Sequence, residues 1–389
     1  MVSSLTRIKN HSSKGNKMKQ IKITKVKATP ITIPFHIPVV LSFGVVDKRS
    51  YVVLQIYTEE DIIGIGEAAP LPIYSEESVE SVKFAIDRYL GPAVIGMDVS
   101  DIERILERFD RVIKGNPVAK AGLEYALWDI MGKALDLPVY KLLGGLFREE
   151  VPLPIHSIGI GSTEDIVKQA TANVEAGMKL IKMKIGLDPH QDLQNVRAVR
   201  EAIGQDIGLY VDANQGYSKT VAVKALRQLE EFNLLRIEQP ISKHDIDGMA
   251  EICQAIDTPI VADEAVGNVR DVFNLIRFKA ADIINIKSVM HGLSECRRIA
   301  TVCQAAGIPC YRGAMASLGI CDAAEVHLVA STPNIVFPED PGYNRPEELV
   351  DTIIENRLEP VKGMLQVPQT PGLGVDLDEK KLEKFKIDI

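Results

Sequence analysis

Six charged residues in this chain are spaced so that they could act on one small molecule. Lys182 and Lys184 stand two apart in KLIKMKIGLD, Asp212 lies in LYVDANQGY, Glu238 in LLRIEQP, Asp263 in PIVADEA and Lys287 in IINIKSVMHG. From Lys184 onward the steps are 28, 26, 25 and 24 residues. Alternation along a strand would turn both lysines of the first run to one face. Three converging carboxylates cannot all stay ionised without a cation between them. Oxygen donors without histidine or cysteine favour Mg²⁺, with Mn²⁺ as the second choice, over zinc. Any one of these acids alone is more often a helix cap; three at one regular spacing argue for a metal site. A lysine serves as a base only when its pKa falls from about 10.4 towards 7–8. Burial, a neighbouring ammonium and a metal ion all push it that way. A dication between two opposed lysines suits removal of a proton α to a carboxylate, with the charge held as an enediolate.

Each charge follows a short apolar or β-branched run, and each gap has the length of one strand–helix unit. From Val151 the chain alternates short strands (LPIHSI, LIKMKIG, IGLYVDA, LLRIEQP, PIVADEA, DIINIKS, IPCYRG, NIVFPED) with helical segments such as DIVKQATANVEAG and GLSECRRIATVCQAAG, the latter closed by Gly307. Eight such units without a Gly-rich dinucleotide fingerprint predict an α/β fold of the (β/α) TIM-barrel type over residues 151–360, with the charges at the C-terminal strand ends. Residues 21–150 read differently: three strands (IKITKVKATPITI, YVVLQIYT, DIIGIGEAA) and then three helices, in SVESVKFAIDRYL, DIERILERFDRVI and AKAGLEYALWDIMGKAL. Strands followed by helices imply a separate α+β domain. Ser78 and Ser100 are the expected caps of the first two helices. Residues 361–389 lose the alternation and are expected to return to the first domain. Residues 1–20, basic and poor in apolar side chains, read as a disordered tail rather than a signal peptide.

Composition narrows the function. Hydrophobic residues at 46% and charged residues at 25% describe an ordinary globular enzyme. A net charge of −8 argues against nucleic acid as partner. No apolar run approaches the roughly 18 residues of a membrane span. Five cysteines, odd in number and without a CxxC pair, read as reduced and buried in a cytoplasmic protein.

The stretches IGIGEAAP, KGNPVAKAGLEYALWDIMGKALDLPVYKLLGG, KMKIG, VDANQGY, IEQPIS, ADEA, INIKSVMHGL and TPGLGVDLDE resemble the enolase superfamily, in its mandelate racemase/muconate lactonizing group. The likeness runs from Ile21 to the C-terminus. It implies a capping domain over a modified barrel, Asp212, Glu238 and Asp263 as ligands of Mg²⁺, Lys184 as one acid/base, Lys287 as the opposed acid/base or a cation stabilising the enolate, and Lys182 as the neighbour that contacts a substrate carboxylate. Asn214 and Glu264 match supporting positions beside the ligands. The resemblance also implies a homo-oligomer and a small carboxylate as substrate. Two positions depart from the group. Ala316, in GAMASLG, stands where muconate cycloisomerases carry a glutamate, and FPEDPG offers Glu339 and Asp340 where dipeptide epimerases place Asp-x-Asp. Phe43 and Tyr74, in loops of the first domain, and Arg312, at the seventh strand end, are further candidates for the substrate pocket.

The expectation is therefore an isomerase: a cycloisomerase, or an epimerase or racemase, acting on a small carboxylic acid or amino-acid derivative. The alternatives are a dehydratase of hydroxy or sugar acids and, more remotely, an inactive binding homologue.

Overall fold

The computed structural model describes residues 20–41, 44–152, 157–313, 317–336, 349–359 and 364–389, and only the backbone of 37–41 and 44–46. Strands β1 (Ile23–Leu41), β2 (Gly44–Thr58) and β3 (Ile63–Ala68) form an antiparallel sheet in that order. Helices α1 (Val79–Ala85), α2 (Ile102–Val112) and α3 (Pro117–Leu135) follow it. Ser78 caps α1, accepting the Ser81 amide at 3.3 Å. Ser100 does not cap α2. That helix follows Asp101, and the Ser100 hydroxyl is engaged by Asp98 Oδ1 at 2.9 Å.

Helix α3 is buried nearly all round, because one side lies on the cap sheet and the other on the barrel. That is why its sequence shows little polar face. Glycines allow the approach: a Cβ on Gly66 would sit 2.0 Å from the Gly122 carbonyl oxygen, and one on Gly122 2.8 Å from that of Glu67. These two glycines let the IGIGEA strand and the AGLEYALW helix pack backbone to backbone.

Beyond β4 (Glu150–Pro152), seven parallel strands curl side by side: β5 (Ser157–Ile158), β6 (Leu180–Lys184), β7 (Gly208–Asp212), β8 (Ile237–Glu238), β9 (Ile260–Ala262), β10 (Ile283–Ile286) and β11 (Cys310–Arg312). Helices α4 (Thr163–Glu175), α5 (Pro189–Ile203), α6 (Lys219–Leu229), α7 (Ile246–Ala255), α8 (Val269–Phe278), α9 (Ser288–Ala306) and α10 (Gly319–Ser331) alternate with them. This is the capped α/β barrel architecture that the strand–helix alternation implied. Of the eighth expected strand, the described residues supply one parallel bridge, Ile335 to Cys310. Strand β12 (Met364–Gln366) pairs antiparallel with β4, and the last helix, α11 (Glu379–Phe385), is followed by a bridge from Lys386 to Ile31 of the cap sheet. One continuous apolar core spans cap and barrel. All five cysteines are free, four of them buried and Cys253 half-buried. Among the described residues no helix is long and apolar enough to cross a membrane.

Candidate active site

Strand register assembles the site. Lys184 lies opposite Asp212, and Asp212 opposite Glu238. Asp263 follows β9, which pairs with β8 on one side and β10 on the other. The three acids thus form an arc over three adjacent strand ends, with β6 and β10, which lead to the lysines, on either side. Lys182 and Lys184 do face the same way. Lys182, 1% exposed, lies 3.0 Å from Asp212 Oδ2 and 2.9 Å from Glu238 Oε2. Lys184 donates to Asp212 Oδ2 at 2.6 Å and to Asn214 Oδ1 at 2.7 Å. At the other edge Lys287 donates to Asp263 Oδ1, and its ammonium lies 5.0 Å from the centre of the Tyr74 ring.

All of these groups except the buried Glu238 open onto one cavity of about 660 Å³ between the cap loop and the strand ends. The cap contributes Leu71, Ile73 and Tyr74; the barrel contributes Ile160, Leu187, Met290 and His291 besides the charged residues. Apolar walls around a few convergent charges are the usual make-up of a small-molecule site.

The charges are under electrostatic stress. Burial pushes the Asp212 carboxyl up, but the Lys182 and Lys184 ammonium groups outweigh it and hold Asp212 well below the usual range. Glu238 is pushed up by burial and then by Asp212, only partly relieved by Lys182. Glu264 is pushed up to about 8 by burial, Asp263 and Asp212. Its Oε1 accepts from Asn214 Nδ2 at 3.1 Å, while its Oε2 is buried without a hydrogen bond. A surplus of buried negative charge and an orphaned carboxylate oxygen fit a hard cation by donor type. As the side chains stand, no three acidic, histidine or cysteine groups among the described residues converge into a finished cage. Lys182 is interposed between Asp212 and Glu238 instead, and Lys287 is paired with Asp263.

Some site residues escaped the sequence reading. Asn285 donates its amide at 2.9 Å to both Glu238 Oε1 and Asp263 Oδ1. It sits two residues before Lys287, on the same strand face, and that alternation was the available signal. Gln239, held at φ 33°, accepts the Asp263 amide at 2.9 Å. Glu76 and Lys243 form an ion pair of 2.8 Å at the rim; nothing in the sequence pattern marks it. Beneath the site Arg236 is sandwiched 4.0 and 4.3 Å from the ring centres of Tyr210 and Tyr311.

The expected pocket residues divide. Tyr74 is in the cavity, with its hydroxyl donating to Asp263 Oδ1 at 2.9 Å. Arg312 is 2% exposed, does not line the cavity, and pairs with Glu325. Phe43, Ala316, Glu339, Asp340 and residues 1–19 lie outside the described residues.

An acidic arc at strand ends, bracketed by lysines inside a capped barrel, defines the class: a barrel enzyme with its site under an α+β cap. Residues 23–144 match the mandelate racemase/muconate lactonizing enzyme N-terminal domain, and residues 165–381 the enolase C-terminal domain-like model. The chain belongs to this family, the mandelate racemase/muconate lactonizing group of the enolase superfamily, whose similar members are isomerases. An N-succinyl-L-Arg/Lys racemase of Bacillus cereus is 33% identical, over 94% of this chain and 98% of its own, and its crystal structure superposes with a TM-score of 0.89. A muconate lactonizing enzyme of Pseudomonas fluorescens, solved with muconolactone, is 32% identical with a TM-score of 0.89, covering 95% of this chain and all of its own. A dipeptide epimerase of Enterococcus faecalis, solved with Mg and L-Leu-L-Tyr, is 31% identical with a TM-score of 0.85, covering 91% and 99%.

Proposed function

We propose that this chain is a Mg²⁺-dependent isomerase that moves a proton at the carbon α to a carboxylate, by 1,1-proton transfer on a small amino-acid derivative. The observation that carries the reading is the pair of lysines bracketing three buried acids at one cavity's edge, two of which line it. Asp212, Glu238 and Asp263 would hold the cation, with Asn214 and Glu264 behind them. Bound there, the cation would draw charge onto the substrate carboxylate and so make the α-proton removable.

The protein's own groups do the rest. Lys182, anchored between Asp212 and Glu238, presents a fixed ammonium to the carboxylate. Lys184, on the β6 side, takes or returns the proton on one face of the α-carbon, and Lys287, on the β10 side, does so on the other. Two bases on opposite faces are what inversion requires. Leu71, Ile73 and Ile160 line the cavity with apolar surface, which keeps water from competing for the proton. Assembly into a homo-oligomer is part of the same proposal, to be checked by light scattering.

Cycloisomerisation is the second reading, favoured by the equal superposition on the muconate lactonizing enzyme; it needs one lysine rather than two. The test is NMR in D₂O with Mg²⁺ on N-acyl amino acids, dipeptides and muconate. α-Deuteration with inversion supports the first reading and lactone formation the second. Both readings fail if Mg²⁺ does not bind.

A further inference from the structure

The helix start that directly follows Lys287 is held by the cap domain. Helix α9 begins directly after this lysine, runs for one turn, breaks at Gly292 (φ 70°, ψ 177°) and resumes. The isolated turn carries Met290 and His291, which line the cavity beside Lys287. Their amides return to the Lys287 carbonyl at 3.0 and 3.1 Å, and the His291 ring bonds the Val266 carbonyl at 2.9 Å. A helix that restarts has orphaned N–H groups that need an acceptor.

The acceptor comes from the cap. Glu124 of α3, 2% exposed, takes the Ser294 amide at 2.7 Å, the Ser294 hydroxyl at 2.6 Å and the Trp128 indole N–H at 2.9 Å, all on Oε1. Its Oε2 fills the space of the missing side chain at 292, where a Cβ would lie 1.8 Å away. The next residue, Tyr125, donates its hydroxyl at 2.7 Å to Ser288, which passes a bond of 2.8 Å to Glu325. Two consecutive residues of one cap helix therefore clasp both ends of the turn that follows Lys287.

We infer that Glu124, seconded by Tyr125, is a positioning residue for Lys287: the cap helix sets the placement of one of the two bases through the broken start of α9. The inference deepens the two-lysine reading and rests on it for its first test. Glu124→Ala should slow α-proton exchange of the enantiomer handled on the Lys287 face by about 30-fold or more, and that of the opposite enantiomer by less than about 3-fold. Glu124→Gln, which keeps the acceptor, should restore exchange to within about 3-fold of wild type. A merely structural role would slow both enantiomers alike, and that result, or no effect on either, overturns the inference.

A second measurement does not depend on any reaction. Trp128 is the only tryptophan in the chain and is bonded to Glu124, so its emission reports on the clasp. Lys287→Ala should change that emission by roughly a fifth or more, and Lys184→Ala should not. Equal spectra for the Lys287 variant and wild type overturn the inference. If the wild type exchanges no enantiomer at all, the reading of function fails, and the fluorescence comparison alone decides the clasp.

Discussion

At the residue scale, each candidate base is tied to a different acid, Lys184 to Asp212 and Lys287 to Asp263. Removing one base therefore need not remove the acids. Lys184→Ala is expected to lower turnover roughly 10²–10⁴-fold while Mg²⁺ binding, followed by calorimetry, persists; an active variant refutes its role. Asn285 is the residue that ties Glu238 to Asp263, so Asn285→Leu should weaken Mg²⁺ roughly 10–100-fold, and unchanged affinity contradicts that. The charged residues at the strand ends were legible in the sequence, because they recur at unit spacing after apolar runs. Asn285 was less so, since an amide carries no such signal. Arg312 was legible as a strand-end cation but not as an internal one. Its partner Glu325 lies inside the buried helix α10, thirteen residues on.

At the scale of elements, buried glutamates serve as helix caps across element boundaries. Glu77 accepts the amides of Val118 and Ala119 at 2.8 and 3.3 Å and so caps α3, whose own N-cap residue, Asn116, makes no side-chain capping bond. Glu67 of β3 likewise accepts the Leu318 and Cys321 amides at 2.5 and 3.0 Å, at the start of α10. Glu77→Ala should cost about 1–2 kcal/mol in denaturant unfolding, with no loss if the cap is idle. Gly122→Ala should be worse, by about 1–3 kcal/mol, since the added methyl meets the β3 backbone. Local caps such as Ser78 could be read from sequence. Caps supplied from a distant strand or helix could not, because the pairing exists only once the cap sheet, α3 and the barrel are packed. The same reason hid the turn before Gly292, since the helical pattern read from sequence starts at Gly292 whereas α9 begins at Ser288 and breaks there.

At the scale of the molecule, His327 pins three segments together. Buried in α10, it accepts the Tyr140 amide on Nδ1 at 3.3 Å and bonds the Leu373 carbonyl through Nε2 at 3.1 Å. Burial pushes its pKa down to about 4 from 6.5. The folded pKa is the depressed one, so the contribution is complete above pH 6.5 and is lost as the pH falls through 4, about 3 kcal/mol in all. Glu67 and Glu77, pushed up to about 7 by burial, act in the opposite sense, so the test is the difference between His327→Gln and wild type. The variant should lose less Tm between pH 7 and pH 4; parallel losses contradict the staple.

The alternating pattern identified the barrel and the family resemblance identified the cap. The lysine–acid series needs both, since β6–β10 supply the charges and the cap loop with Tyr74 covers them. The measurement that tests this most directly is α-proton exchange in D₂O with Mg²⁺, run side by side on wild type and Lys184→Ala with N-acyl amino acids and dipeptides. The account predicts deuterium at the α-carbon of at least one compound with wild type, and its loss for one enantiomer in the variant. Exchange by Lys184→Ala at the wild-type rate on both enantiomers, or none by wild type with Mg²⁺ bound, would contradict it.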